Sequence, residues 1–332
     1  MLNKVVIFGV GLIGGSFARG LKAAGAVRHI VGVDRSQAFL ARAIELGIVD
    51  SVAETGKPGS DPRVRPQSAA AADPGSDPWV VPRFTGFEEA IEGADLILLA
   101  APVAQTGKIL SAIQPHLQPQ TVVTDAGSTK SDVVAAARAA LGAQVSQFVP
   151  GHPIAGRETN GPDAAIVDLY KGKKAVLTPL PENGAAAIER VANAWQACGA
   201  IIHTLTPEEH DKVFAAVSHL PHLLAYALVD DIERKPHSDL LFQYAASGFR
   251  DFTRIAGSSP EMWRDISLAN QAALLTELDA YLAQLTRLRA SLAAGDAAAL
   301  EATYANAQRA RRQWIEAIEA AEPPQPKDAA AE

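Results

Sequence analysis

Three groups of residues in this chain have types and spacings suited to chemistry. The first is Gly9-Val-Gly-Leu-Ile-Gly14, followed by Asp34, which lies at the roughly 20-residue offset expected of a dinucleotide fingerprint. Gly9 permits a tight turn, Gly11 lets a pyrophosphate approach the backbone, and Gly14 lets helix and strand pack closely. The amides around Leu12 and Ile13, at a helix start, would supply an anion site. Asp34 can accept both ribose hydroxyls of an adenosine and repel a 2′-phosphate, so NAD is the expected cofactor. Arg35 beside it is the feature that would accommodate NADP instead.

The second group is histidine. Of eight in the chain, His152 stands in Gly151-His-Pro, while His210, His219 and His222 cluster at separations of nine and three. An imidazole titrates near neutral pH, so His152, after a strand at the carboxyl edge of a sheet, suits a general base. Two histidines three apart plus a third would also suit a metal. Pro221 disturbs the helix between them and hydride chemistry on a nicotinamide needs no metal, so none is expected. The third group is Arg250 and Arg254, whose forked guanidinium groups match a carboxylate. The single cysteine, Cys198, reads as a half-buried helical thiol.

These residues need a scaffold, and the apolar pattern supplies one. Lys4-Phe8, Ile30-Asp34, Asp95-Leu99, Thr121-Asp125, Gln147-Val149, Ala175-Thr178 and Ile201-Thr204 read as strands. Helices fall over Leu12-Ala24, Ser36-Leu46, Gln105-His116 and the residues after Ser128. The expected fold is α/β, a Rossmann-type doubly wound and mostly parallel sheet, followed by an all-helical second domain. Thr206-Pro-Glu-Glu209 is a capping box that opens the helical part. The expected domains are 1–206, with a flexible insertion at 55–82, and 207–320, with a disordered tail at 321–332. The apolar stripes of Leu268-Leu292 and Asp296-Ile318 suit a homodimer, although an intrachain bundle gives the same pattern.

A formal charge of −7 over 332 residues argues against nucleic acid as a partner. The sequence shows no leader and no run of about 18 apolar residues, so a membrane span is not expected and the cytoplasm is the expected location.

Six segments carry a resemblance: Gly9-Val-Gly-Leu-Ile-Gly-Gly-Ser16, Thr124-Asp-Ala-Gly-Ser-Thr-Lys130, Gly151-His-Pro-Ile-Ala-Gly-Arg-Glu158, Glu209-His-Asp211, Ser218-His-Leu-Pro-His222, and Gly248-Phe-Arg-Asp-Phe-Thr-Arg-Ile-Ala256 with Trp263-Arg-Asp265. In order and spacing they resemble the prephenate/arogenate dehydrogenase family, from the first strand to about residue 290. The resemblance implies NAD-dependent oxidative decarboxylation of prephenate to 4-hydroxyphenylpyruvate in tyrosine biosynthesis. Arogenate, or both substrates as in a cyclohexadienyl dehydrogenase, is the alternative. It implies His152 as base and Ser128 as a hydrogen-bond partner of the same hydroxyl, although Ser128 also suits a helix cap. It selects Arg254 over Arg250 as anchor of the ring carboxylate and places Trp263 at the substrate. His210, His219 and His222 fall around the pocket as donors or as its support, with a plain packing role equally open for His210. Glu158 beside Arg157 could face the substrate side chain, where a carboxylate favours arogenate.

Two other readings compete. β-Hydroxyacid dehydrogenases place a lysine near the reacting carbon, and Lys171, Lys173 and Lys174 are available, but their surroundings do not follow that pattern. A non-catalytic NAD-binding sensor would lack a base or an anchor.

Overall fold

The computed structural model describes residues 1–53, 87–157 and 159–321. The insertion expected at 55–82, residues 322–332 of the expected tail and the side chain of Glu158 lie outside the described residues.

The first part alternates strand and helix: β1 (Leu2–Phe8), α1 (Leu12–Ala23), β2 (Val27–Val33), α2 (Gln37–Glu45), β3 (Ser51–Val52), α3 (Glu88–Ile91), β4 (Leu96–Leu99), α4 (Thr106–Ile113), β5 (Val122–Asp125), α5 (Ser131–Leu141) and β6 (Phe148–Val149). Its six strands lie in the order β3-β2-β1-β4-β5-β6 with every pairing parallel. Alternate residues of a strand face opposite sides, and both sides are apolar here. Val5, Ile7, Leu96 and Leu98 enter one buried cluster, whereas Val6, Phe8, Ile97 and Leu99 enter the other. Such strands must be covered on both faces, which is the doubly wound arrangement.

The expected single sheet is corrected in one respect. The chain next forms β7 (Gly151–Pro153), β8 (Lys174–Leu177), α6 (Ala185–Ala197) and β9 (Ile201–Thr204). These three strands make a separate sheet in which β7 runs antiparallel to β8 and β8 parallel to β9. Pro150, between β6 and β7, has no N–H to give a ladder, so β6 stops after two residues. His152 therefore sits within a strand of the small sheet and not in a loop after the large one.

Every later element is helical: α7 (Pro207–Phe214), a π-helical turn over Ala215–His219, α8 (Leu220–Glu233), α9 (Ser238–Gln243), α10 (Ser247–Thr253), a 3-10 turn over Arg254–Gly257, α11 (Pro260–Ala269), α12 (Gln271–Ala293) and α13 (Ala297–Ala321). The capping box forms as expected: Thr206 Oγ1 accepts from the Glu209 amide at 3.1 Å, and the Glu209 carboxylate accepts from the Thr206 amide at 3.0 Å. By compactness the chain divides into Met1–Gln271 and Ala272–Glu332.

Pro221 does not break the helix. It falls in the first turn of α8, directly after the π turn, where its missing N–H and its ring are tolerated. Pro207–Glu233 is consequently one helical stretch of 27 residues, long and apolar enough to cross a membrane by length and composition alone. Along it His210, Asp211 and His219 are buried and hydrogen-bonded to protein groups.

Candidate active site

At the cofactor end, each glycine answers to a different neighbour. A Cβ on Gly9, whose φ is +97°, would lie 2.6 Å from the Ala100 carbonyl oxygen, and one on Gly14 would lie 2.0 Å from the Gly9 oxygen. Both positions are demanded by the protein itself. A Cβ on Gly11 would meet nothing nearer than the Gly161 amide nitrogen at 3.9 Å. That opening beside the N-terminus of α1 fits a dinucleotide diphosphate, whose approach is what the absent side chain permits. Leu12 and Ile13 open the helix, and the Ile13 carbonyl accepts from the Tyr170 hydroxyl at 2.6 Å. Asp34, half-buried at the end of β2, accepts from the amides of Val10 at 3.1 Å and Ser36 at 2.9 Å. A carboxylate has about four lone-pair sites, so it retains capacity for ribose hydroxyls. Arg35 is exposed beside it.

The proton-handling end is built from side chains of distant segments. His152 Nδ1 lies 2.8 Å from His210 Nε2, and His210 Nδ1 lies 2.9 Å from Asp211 Oδ1. Asp211 is an ionised acceptor: it takes the amides of Lys130 and Ser131, each at 2.8 Å. Its partner His210 Nδ1 must then carry the proton, His210 Nε2 must accept, and His152 Nδ1 must donate. The order leaves the lone pair of His152 on Nε2, which makes no hydrogen bond among the described residues. Phe214 walls both rings, at 4.9 Å from His152 and 4.4 Å from His210 between centroids.

Electrostatics keep this base unprotonated. Burial, then the neighbouring His210, Lys130 and His219, hold the His152 pKa well below the ordinary imidazole value. Burial likewise lowers His210, against the opposing pull of Asp211. For Asp211 burial alone would raise the pKa, but the hydrogen bonds from His210, Ser131 and Lys130 bring it below the usual carboxylate value.

The same Asp211 does the work expected of a helix cap. α5 begins at Ser131 with no capping side chain of its own, and Asp211, reaching across from α7, satisfies two of its free amides. Ser128 is therefore not the cap; it sits half-buried in the turn between β5 and α5, facing His219 with its backbone.

Beneath His152 lies a buried ion pair. Lys130 Nζ donates to Asp125 Oδ2 and, at 2.8 Å, to the Gly151 carbonyl. Asp125 Oδ1 accepts from the Gly151 amide at 3.0 Å. Together the pair holds both polar groups of Gly151 and so fixes the start of the strand that presents His152.

His219, His222, Arg254 and Trp263 continue the line away from His152. The His222 ring stacks on Trp263 with centroids 3.5 Å apart and planes at 19°, and His219 meets the same indole edge-on at 6.1 Å. Trp263 Nε1 is buried and has no hydrogen-bond partner among the described residues. His222 Nδ1 donates to the Ser218 carbonyl at 2.9 Å, so its neutral form turns an acceptor outward. Burial lowers the His222 pKa against the opposing hydrogen bond to Ser218, and the positive charge of Arg254, within electrostatic reach of the ring, lowers it further. Arg250 is exposed, with Nε 3.9 Å from Asp251. Among the described residues no cluster of three or more possible ligands could hold a metal ion.

Reading the sequence missed Asp211, Lys130, Asp125 and Phe214 as parts of the site. The first three stood inside the quoted segments, and a carboxylate closing a strand five residues before a lysine was the available signal. Phe214 carried none.

Comparison with known proteins fits this geometry. Residues 81–204 match the family described as prephenate dehydrogenase, nucleotide-binding domain, and residues 206–306 match its dimerization domain. Residues 5–125 also match ketopantoate reductase. A cyclohexadienyl dehydrogenase of Zymomonas mobilis is 34% identical over 314 residues, covering 94% of this chain and 96% of that protein. The crystal structure of Aquifex aeolicus prephenate dehydrogenase in complex with hydroxyphenyl propionate and NAD+ is similar at a TM-score of 0.76 and 31% identity, over 96% of this chain and 98% of that one. Synechocystis arogenate dehydrogenase is similar at a TM-score of 0.71 and 27% identity, over 94% and 99%. With both parts of its length matched in this way, the chain belongs to the prephenate dehydrogenase family of oxidoreductases.

Proposed function

We propose that the protein oxidises prephenate with NAD and releases the ring carboxylate as CO2, giving 4-hydroxyphenylpyruvate. One observation carries the reading: the ordered chain Asp211, His210, His152 ends in a lone pair on His152 Nε2. A base so held can take the proton of the ring hydroxyl at C4. Bound NAD supplies the acceptor for the hydride leaving C4. The C1–carboxylate bond then breaks, its electron pair completes the aromatic ring, and the proton on His152 returns to the phenolate oxygen. Arg254 holds the carboxylate by charge until it departs as a neutral molecule. Ser128 gives the same hydroxyl a second partner. Asp34, with acceptor capacity toward the ribose, favours NAD over NADP.

A second reading, arogenate as substrate, is favoured by His222. Its neutral Nε2 can accept from the ammonium group of arogenate, whereas it must take up a proton to donate to the keto oxygen that prephenate carries at the same position. NADH formation measured with each substrate at equal concentration, and with NAD and NADP, separates the readings. Prephenate with NAD should give the highest rate. Absence of turnover with both substrates would overturn the proposal.

The same reading makes the assembly a homodimer. Leu275, Leu282, Leu285 and Leu292 of α12 are exposed at separations of seven, three and seven, the spacing of a helical seam that a second copy covers. Light scattering should give twice the chain mass, and Leu282→Asp with Leu285→Asp should halve it.

A further inference from the structure

Asn270 has no place in the chemistry above, yet it is buried at the end of α11, 5% exposed. Its amide nitrogen lies 2.7 Å from the Asp211 carbonyl oxygen and 3.1 Å from His219 Nδ1. The Asp211 carbonyl can only accept, so it fixes which end of the amide is the NH2. An NH2 has two hydrogens and offers no lone pair. His219 Nδ1 must therefore accept, and its proton must sit on Nε2.

The surroundings agree with a neutral ring. His219 is 1% exposed, and burial pushes its pKa down to about 4. Its Nε2–H is buried with no well-formed hydrogen bond and faces the backbone of Ser128. The π turn over Ala215–His219 helps to aim it. In an unbroken α-helix nine residues turn through about 900°, which would set His219 opposite His210. The wider π turn swings it back by roughly 90° toward the His210 side.

We propose that Asn270 is a positioning residue for this reaction: it fixes His219 as the Nε2–H tautomer and thereby points a donor at the Ser128 turn, while tying that ring to the backbone of Asp211. The inference rests on the proposed reaction only for its kinetic consequence. The tautomer itself is a property of the resting protein, read independently of turnover.

The test combines both. In wild-type protein with 15N-labelled histidine, long-range 15N–1H correlation at pH 7, with His219 assigned through His219→Gln, should show a protonated Nε2 and a bare Nδ1. Asn270→Ala should remove that preference and lower kcat about tenfold, the rate equivalent of one hydrogen bond, with the KM for NAD unchanged. Asn270→Asp, which presents acceptors to both partners, should shift the proton to Nδ1. In a double-mutant cycle, Asn270→Ala should cost nothing further in the His219→Gln background. A wild-type His219 protonated on Nδ1, or additive losses in the cycle, overturns the proposal even if the enzyme turns over prephenate as expected. Failure of turnover alongside the expected tautomer overturns the proposed reaction and leaves the assignment of Asn270 to His219 standing.

Discussion

The glycine turn and the histidine relay handle charge with different materials. The turn uses backbone: amides at the start of α1, a gap left by Gly11, and one carboxylate at the end of the neighbouring strand, all within residues 9–34. The relay uses side chains from residues 125–130, 151–152 and 210–222, with Asn270 closing it from α11. A site made of backbone is bound to local spacing, whereas a site made of side chains depends on tertiary contacts. The two should therefore fail differently when mutated.

The largest expected effect is on the relay. His152→Asn keeps a hydrogen-bonding group of similar size but removes the lone pair that takes the proton. Steady-state kinetics should show kcat lower by on the order of a hundredfold or more, with little change in the KM for either substrate or NAD. A variant retaining more than a tenth of the rate would mean that another group accepts the proton, and the relay would be reduced to packing.

Arg254→Gln should act on binding. Replacing a forked cation by a neutral amide costs a charge-assisted pair, so the KM for prephenate should rise about thirtyfold while kcat changes little. An unchanged KM moves the carboxylate anchor elsewhere, and Arg250, four residues earlier, is the first alternative to test.

The turn gives a smaller and cleaner contrast. Gly11→Ala adds a methyl group to open space, so thermal unfolding should be unaltered while the KM for NAD rises about tenfold, because the methyl group takes room kept for the diphosphate. Gly14→Ala puts the same methyl group 2.0 Å from a carbonyl oxygen and should reduce stability before any kinetic effect is read. If both variants lost stability equally, the division into a glycine kept for the ligand and glycines kept for the fold would be wrong.

This division also explains what could be read from the sequence. β1, α1 and β2 lie within a residue or a few of where apolar periodicity predicts them, and the capping box at Thr206 forms as spaced. The separate small sheet was not legible, since strands of three and four residues have too little pattern to reveal their partners. Pro221 misled for a definite reason: proline normally interrupts a helix, and nothing in the residues around it announces a π turn that lets the helix continue. The histidines stood out by type, but their order did not. That Asp211 caps α5, orients His210 and so sets the tautomer of His152 depends on contacts across eighty residues, which no local rule encodes.

The smallest expected effect concerns acid. His219 has a folded-state pKa of about 4, against an unfolded value of about 6.5. Between these values the unfolded chain binds more protons than the folded one, so stability rises with pH across the window and is lost as pH falls from 6.5 toward 4. His152 and His210 are depressed in the same sense. The loss belongs to the relay region, and two tryptophans can report on it. Trp263 packs on His222 and His219. Trp195 lies in the sheet core against Phe17 and Tyr170. In single-tryptophan proteins titrated from pH 7 to 4, fluorescence of Trp263 should change at higher pH than that of Trp195. His219→Asn, lacking the titrating ring, should bring the two closer together. Coincident transitions in both backgrounds would show the two regions to be one cooperative unit in acid, whatever their difference in materials.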